Sequence, residues 1–347
     1  MEQRRLGASG IEVGAVGIGT QQWGSKSWGY GKSYTRDDHE ATYQTLLDAG
    51  VNLFDTSENY GGGLAEQFIG EFHRADGRPI FLATKFTPSK IYDPSTRVSA
   101  KSMMSTLDGS LKRLGVRAVD LYQLHYPLAR GRLGSYLDAL AETVKVGKAR
   151  AIGVCNFNAE LLRYAHEHLA SRGIALASNQ IEYSLLYRHP EHNGMLAACE
   201  ELDIALIAIL PLGEGVLSGK YRVGGEPYPS RVRNILTVTN WDLFHEDENA
   251  EPILRRVRRK PYELQREALE PLFDLLESIA MAHNATIAQV ALNWLLASNP
   301  RVIPIPGAKY ARQARDNASA LGWNLSPGEF ERISEREAAI RASLGRS

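Results

Sequence analysis

Short apolar runs alternate with amphipathic stretches along most of the chain. The runs are rich in strand-forming residues, and they predict strands at 16–20, 51–55, 80–85, 119–125, 149–155, 177–182, 204–210 and 301–305. Between them, apolar residues recur at helical spacing, which predicts helices at 35–49, 65–73, 99–114, 135–146, 159–169, 195–202, 269–282 and 287–297. Several helical stretches end at glycines, among them Gly50, Gly115 and Gly147. The pattern is therefore a repeated strand–helix unit.

This alternation indicates an α/β fold with a parallel sheet, and eight units predict a closed (β/α)8 TIM barrel. Two short extended segments around the break at 7–10 predict an N-terminal β-hairpin ahead of the barrel. A long irregular segment, 213–261, predicts a long loop before the last βα unit. A doubly wound dinucleotide fold is the rival, weakened because no strand is followed by G-x-G-x-x-G. We expect one domain spanning 1–347.

Three of the apolar runs end in residues that can carry out chemistry. Asp55, Lys85 and His125 stand at the carboxyl ends of predicted strands, and Tyr60 follows Asp55 in a glycine-bounded loop. In a (β/α)8 barrel these ends face one mouth, where catalytic residues collect. The four side chains therefore predict one site. A buried structural ion pair of Asp55 with Lys85 is the simpler alternative, and His125 or Tyr60 taken singly could be structural.

Composition narrows the classes of partner. The 40 basic and 40 acidic residues cancel, so no overall field favours nucleic acid or an anionic membrane. The basic stretch 255–260 follows several acids, which favours a solvated loop over a nucleic-acid patch. No apolar stretch reaches the roughly 18 residues of a membrane span, and the first residues lack the core of a signal peptide. Two cysteines, Cys155 and Cys199, indicate a reducing compartment, so we expect the cytoplasm. No metal site is predicted, and the oligomeric state is left open.

Seven stretches in order resemble the aldo-keto reductase family over most of the chain. They lie at 50–60, 83–85, 121–125, 152–157, 179–183, 211–221 and 303–308, with sequences such as GVNLFDTSENY, LYQLH and IPIPGA. The resemblance implies a (β/α)8 barrel that reduces a small-molecule carbonyl with a nicotinamide cofactor. It places the catalytic tetrad of the family on Asp55, Tyr60, Lys85 and His125.

Carbonyl reduction needs hydride at carbon and a proton at oxygen. Tyr60 is the candidate acid, but an isolated phenol has a pKa of about 10. We expect the Lys85 ammonium to lower the pKa of Tyr60, and Asp55 to keep Lys85 charged and oriented. His125 would hydrogen-bond the carbonyl oxygen and position it.

The resemblance also implies the residues that contact cofactor and substrate. The cofactor set is Gly19, Thr20, Gln21, Asp55, Asn156, Gln180, Ile209, Pro211, Leu212, Gly213, Gly215, Lys220, Arg231, Gly307, Lys309, Gln313, Asp316 and Asn317. Asn156 and Gln180 would bond the nicotinamide amide. The spacing of Lys309, Gln313, Asp316 and Asn317 predicts one helical face for the adenosine phosphate, although an ordinary solvated helix has the same spacing.

Lys309 and Arg312 favour NADPH, with NADH possible. Trp23 and Trp28, near Tyr30, would form an aromatic wall for a sugar or ring compound together with Tyr60 and His125; equally, the tryptophans could pack internally.

One departure from the family pattern is Ile209, which stands where an aromatic residue usually stacks on the nicotinamide. Because of this departure, a second interpretation stays open, in which the protein is a regulatory or partner-binding subunit that binds the nicotinamide cofactor with little turnover. A third possibility is an aldolase-type barrel in which Lys85 forms a Schiff base. In the long loop, Tyr228, Arg231 and Trp241 are predicted to belong to a flap over the site.

Overall fold

Eight parallel strands form the centre of the molecule. The structure is a computed structural model that describes residues 2–90, 93–128, 130–226 and 266–343. In chain order the barrel strands are β3 (Ile18–Gly19), β4 (Leu53–Asp55), β5 (Phe81–Phe86), β8 (Val119–Leu124), β9 (Ala149–Cys155), β10 (Leu176–Glu182), β11 (Ala205–Ile209) and β12 (Val302–Pro304). Each of them pairs in parallel with its neighbours in chain order.

A bridge between the first and last strands closes this sheet. Gly19, at the end of β3, forms a parallel bridge with Gly307, just beyond β12. The predicted (β/α)8 barrel is therefore confirmed.

Helices cover the outside of the barrel. They are α1 (Arg36–Asp48), α2 (Leu64–Asp76), α3 (Met103–Leu114), α4 (Arg130–Lys145), α5 (Ala159–Ala170), α6 (His189–His192), α7 (Met195–Glu201), α8 (Arg266–Ala282), α9 (Ile287–Ser298), α10 (Ala311–Ala318) and α11 (Pro327–Ser343). The predicted start of α1 is confirmed by a capping box, in which Thr35 N–H donates to the Asp38 carboxylate at 2.8 Å. In the part of the chain that the structure describes, no helix combines the length and apolarity needed to cross a membrane.

The predicted N-terminal hairpin is present and closes the amino end of the barrel. Strands β1 (Gln3–Arg5) and β2 (Glu12–Gly14) pair antiparallel, and Leu6 and Val13 join the buried cluster inside the barrel. Gly7 between them is required: its φ is +54°, and a Cβ there would lie 2.5 Å from the carbonyl oxygen of Ala177. The hairpin thus acts as an apolar plug.

A second hairpin was not anticipated from the sequence. It joins β6 (Ser89–Lys90) to β7 (Asp93–Arg97), beyond the carboxyl end of β5. Its strands lack alternating apolar residues, so the periodicity gave no signal. Of the long loop, 213–226 is described and begins with a 3-10 turn at Gly213–Ser218, whereas the proposed flap at Tyr228, Arg231 and Trp241 lies outside the described residues.

Strand alternation decides which side chains enter the barrel. Leu53 and Asp55 share the inward face of β4, and Phe81, Ala83 and Lys85 share that of β5. The apolar members lie toward the amino end and the charged members toward the carboxyl end. The register of the barrel therefore delivers a carboxylate and an ammonium to the same mouth.

Candidate active site

An ion pair between Asp55 and Lys85 lies at the centre of the mouth. Lys85 Nζ is 2.5 Å from Asp55 Oδ1 and also donates to the carbonyl oxygen of Thr56 at 2.8 Å. Both side chains are buried, at 0% and 2% exposure. Burial is the largest single effect and lowers the pKa of the Lys85 ammonium, but Asp55, together with smaller contributions from Tyr60 and Cys155, outweighs it, so the pKa of Lys85 is raised. Lys85 is therefore held in its charged form.

Two carboxamides complete the coordination of Asp55. Its Oδ2 accepts hydrogen bonds from Gln180 Nε2 at 2.8 Å and from Gln123 Nε2 at 3.1 Å. With Lys85 on the other oxygen, the buried carboxylate has a donor on each oxygen, which offsets the cost of removing it from water. Gln180 was predicted to face the nicotinamide amide, whereas here it bonds Asp55. Gln123 was not singled out in the sequence, although it shares the inward face of β8 with Leu121.

Tyr60 lies on the turn that follows β4, beside the ion pair. Its hydroxyl is 3.4 Å from Lys85 Nζ, and its ring centroid is 5.0 Å from the same nitrogen. The turn depends on glycine: Gly61 has a φ of +60°, and a Cβ there would lie 2.8 Å from the carbonyl oxygen of Trp23. The backbone of this loop thus fixes the phenol next to the ammonium.

The direction of the shift at Tyr60 corrects the expectation from the sequence. Burial raises the pKa of the Tyr60 phenol, and although the Lys85 ammonium lowers it as expected, burial is the larger effect. Before any ligand binds, Tyr60 is consequently a protonated phenol, the form required of a proton donor.

His125 follows β8 and is a neutral imidazole. Burial, with a smaller contribution from Lys85, lowers the pKa of His125 well below its usual value. Its Nδ1 lies 3.0 Å from the Thr87 hydroxyl, and its ring meets that of Tyr60 edge-on with centroids 6.0 Å apart. The three residues predicted at strand ends and Tyr60 from the following loop thus converge on one site.

A further aromatic residue at this site was missed by the sequence argument. Tyr126 stacks on His125 with centroids 4.5 Å apart and 13° between the ring planes, and it is half-buried. Its position directly after His125 was the available signal.

Two residues of the predicted cofactor set, Asn156 and Thr20, hydrogen-bond the backbone of His125 and of Asp55. Asn156 follows β9 with a positive φ of 60°, and its Nδ2 donates to the His125 carbonyl oxygen at 3.2 Å. The Thr20 hydroxyl donates to the Asp55 carbonyl oxygen at 2.9 Å. Gly19 pairs with Asp55 in the sheet, and Gln21 is exposed at the rim.

The end of β11 and the loop after it carry seven more predicted cofactor positions, of which six are described. Ile209 is half-buried and packs against the inward apolar cluster. The turn that follows it contains Pro211, Leu212, Gly213 and Gly215, and Lys220 lies at its exposed end. Gly213 and Gly215 have φ of +53° and +93°, so the backbone here is tightly curved. Arg231, predicted to contribute from the same loop, lies outside the described residues.

The prediction that Lys309, Gln313, Asp316 and Asn317 share one helical face for the adenosine phosphate is partly wrong. Because α10 begins at Ala311, Lys309 precedes the helix, and its Nζ donates to the Trp28 carbonyl oxygen at 3.1 Å. Asp316 turns to α9, where it accepts from Thr286 Oγ1 at 2.9 Å and from Gln289 Nε2 at 2.7 Å.

The remaining members of that face stay together. Gln313 Oε1 accepts from Lys309 N at 2.8 Å, and Asn317 Nδ2 donates to the Gly307 carbonyl oxygen at 3.4 Å. These residues therefore hold the loop between β12 and α10 in place.

Trp23 does not belong to a substrate wall. It is fully buried, its indole N–H donates to the Ala308 carbonyl oxygen at 3.0 Å, and its ring stacks on His39. The internal packing that the sequence left open is thus the correct alternative for Trp23. Trp28 is half-buried, with Lys309 Nζ 5.6 Å from its ring.

The fold and the site together define a class: a (β/α)8 enzyme whose mouth holds an Asp–Lys pair, a phenol and a neutral imidazole. A family model described as "Aldo/keto reductase family" matches residues 15–338. The chain belongs to the aldo/keto reductase family, and it is an NAD(P)H-dependent oxidoreductase of carbonyl compounds, as the sequence predicted.

Individual relatives are similar to this chain over most of their own lengths. Pyridoxal reductase of Arabidopsis thaliana is 31% identical over 92% of this chain and 82% of its own. The aldo-keto reductase yakc [NADP(+)] of Schizosaccharomyces pombe is 32% identical over 91% of this chain and 86% of its own. The crystal structure of the thermostable aldo-keto reductase Tm1743 with the inhibitor epalrestat superposes with a TM-score of 0.70 at 29% identity, covering 97% of this chain and all of that one.

Proposed function

We propose that the chain reduces an aldehyde or ketone to an alcohol with NADPH, and that Tyr60 donates the proton. The observation that carries this proposal is the 3.4 Å approach of the Tyr60 hydroxyl to Lys85 Nζ, with Lys85 fixed by Asp55. Tyr60 is protonated at neutral pH because burial raises its pKa. As the proton leaves, the adjacent ammonium stabilises the phenolate that develops.

The residues around this centre fit a dinucleotide. Asn156 places a carboxamide beside His125, and Gln180 places one beside Asp55. Farther out, α10 begins without a side-chain cap, so N–H groups of its first turn are available to an anion, next to Lys309. When bound, the nicotinamide would supply the hydride.

A preference for the 2′-phosphate of NADPH is supported by charge. Lys309 and the exposed Arg312 flank the start of α10, and a phosphate there would be paired by both. The fission-yeast relative carries NADP(+) in its name. NADH is the second candidate cofactor, because Gln313 is uncharged.

For the substrate we propose a small aldehyde attached to a polar ring. Tyr126, stacked on His125, offers a half-buried aromatic surface next to the reacting position. The plant relative is named for the reduction of pyridoxal, a ring aldehyde of this kind.

The Schiff-base alternative is disfavoured by the same geometry. An amine nucleophile must be neutral, whereas Asp55 raises the pKa of Lys85 and keeps it charged. Lys85 therefore acts here as a cation.

The test is oxidation of NADPH with 4-nitrobenzaldehyde and with pyridoxal, comparing the wild type with Tyr60→Phe. We expect turnover to fall about 100- to 10,000-fold in Tyr60→Phe, the range of an acid–base contribution. Tyr164→Phe, which removes a phenolic hydroxyl from α5, is the matched control and should keep the wild-type rate. Equal rates in Tyr60→Phe and the wild type would refute Tyr60 as the acid.

A regulatory subunit is the second candidate, supported by Ile209 in place of a stacking aromatic residue. Tight NADPH binding without turnover of either aldehyde, in a folded wild type, would favour it.

We further propose that residues 1–347 form a single domain, which is supported by the family match over 15–338. We also propose a cytoplasmic location, which is supported by the free buried thiols Cys155 and Cys199.

A further inference from the structure

Thr87 makes contacts that the reaction as described does not use. It follows β5, two residues after Lys85, and it is 3% exposed. Its hydroxyl lies 3.0 Å from His125 Nδ1, and its backbone N–H donates to Glu58 Oε1 at 2.8 Å. Thr87 therefore links the histidine to the loop that carries Tyr60.

Glu58 fixes this link from the other side. Its second carboxylate oxygen accepts from the Ser57 hydroxyl at 3.0 Å, and the Ser57 carbonyl oxygen accepts from Tyr60 N–H at 3.0 Å. One short chain of hydrogen bonds thus runs from the turn of Tyr60, through Glu58 and Thr87, to the imidazole.

The two nitrogens of His125 differ in their surroundings. Among the described residues, the hydrogen bond seen for the His125 ring is the one between Nδ1 and the Thr87 hydroxyl, and it does not involve Nε2. A neutral imidazole carries a hydrogen on only one nitrogen, and a carbonyl oxygen offers only lone pairs. Nε2 can therefore assist a carbonyl substrate only when it carries the hydrogen and Nδ1 accepts.

We propose that Thr87, held by Glu58, is a positioning residue that donates its hydroxyl hydrogen to Nδ1 and so fixes His125 with its hydrogen on Nε2. Two donors, Tyr60 O–H and His125 Nε2–H, are then directed at one carbonyl oxygen. This inference rests on the reductase function proposed above. Within it, the Thr87 hydroxyl acts through the imidazole and does not touch the substrate.

A spectroscopic test addresses the tautomer without requiring turnover. Long-range ¹⁵N–¹H correlation spectra of the labelled protein, with His125→Asn used to assign the signals among the nine histidines, report which nitrogen carries the hydrogen. We expect a single Nε2–H tautomer in the wild type, retained in Thr87→Ser, and a mixture in Thr87→Val. A Nδ1–H tautomer in the wild type would overturn the proposal, whatever the activity of the enzyme.

A double-mutant cycle tests the coupling in the reaction. Thr87→Val should lower kcat about tenfold, the effect of one lost hydrogen bond, and Thr87→Ser should restore it. In a His125→Asn background, which has no imidazole to orient, Thr87→Val should change kcat less than about twofold. A tenfold loss in both backgrounds would show that Thr87 acts on the structure in general and would refute the proposal.

Thr143→Val is the matched control for loss of a buried hydroxyl. Thr143 is fully buried in α4, and its hydroxyl donates to the Leu140 carbonyl oxygen at 2.6 Å. We expect this variant to lower the melting temperature while leaving kcat and the spectrum of His125 unchanged. A wild type without any reductase activity would refute the proposed function, whereas the tautomer measurement would still decide the role of Thr87.

Discussion

The two ends of the barrel are built from the same strands but carry opposite kinds of side chain. At the amino end, Leu6 and Val13 of the hairpin plug enter an apolar cluster with Leu53 and Phe81. Two to four residues further along β4 and β5, the inward positions are Asp55 and Lys85. The amino end can be stabilised by packing alone, whereas the carboxyl end must satisfy every polar group it buries.

The largest expected effect comes from breaking the ion pair at the carboxyl end. Lys85→Met should lower the free energy of unfolding by about 3–5 kcal/mol, because Asp55 would remain buried without its cation. Turnover should also fall, since the ammonium beside Tyr60 is lost. Urea denaturation and NADPH oxidation measure the two effects.

Lys148→Met is the matched control for that substitution. Lys148 Nζ lies 2.5 Å from Asp108 Oδ1, the same separation as in the buried pair, but both partners are partly exposed. We expect a change below about 1 kcal/mol and no change in turnover. Equal destabilisation by the two substitutions would remove burial as the explanation.

The amino end should respond to substitution in stability only. Leu6→Ala leaves a cavity in the plug and should cost about 2–5 kcal/mol. The kcat of the folded fraction should stay at the wild-type value, because Leu6 lies at the other end of the strands. Thermal unfolding together with active-site titration checks this, and a fall in kcat with a full complement of folded sites would contradict it.

His39 is a second buried titratable residue, but unlike Asp55 it is not fully hydrogen-bonded. We expect it to make a smaller contribution to stability, and one that depends on pH. It is completely buried between Trp23 and Tyr30, and its Nδ1 has no hydrogen-bond partner among the residues that the structure describes. Burial lowers the pKa of His39 to about 4, with Asp38 opposing and Lys309 reinforcing the shift. Because the unfolded chain takes up a proton near the ordinary value of 6.5, stability should be complete above that pH and fall toward pH 4.

The comparison that isolates this contribution is with His39→Phe, which keeps an aromatic ring in the stack. As the pH falls from 6.5 to about 4, the free energy of unfolding of the wild type should decrease by on the order of 3 kcal/mol more than that of this variant. Parallel slopes of unfolding free energy against pH would show that His39 does not contribute.

The positions of the charged side chains at the strand ends could be predicted from the sequence, because they follow from the two-residue alternation of a strand. Inward alternation places Asp55 and Lys85 in the same mouth once the barrel is inferred. The contacts of Thr87 and Glu58 could not be predicted, because they depend on where two loops meet in space. The pKa of Tyr60 was predicted in the wrong direction, because a neighbouring charge is visible in the pattern whereas the extent of burial is not.

For aromatic residues in loops, too, the extent of burial could not be predicted from the sequence. Substituting one of them gives the smallest effect that we expect. Trp23 and Trp28 stand five residues apart with similar surroundings in sequence, yet only Trp23 is fully buried and bonded to Ala308. Trp23→Phe should therefore lower stability by about 1 kcal/mol through the lost N–H bond, without changing KM for either aldehyde. Trp28→Phe serves as its counterpart on the half-buried position. If Trp23→Phe raised KM without lowering the melting temperature, Trp23 would belong to the substrate wall, and the packing under the first βα loop would have to open during catalysis.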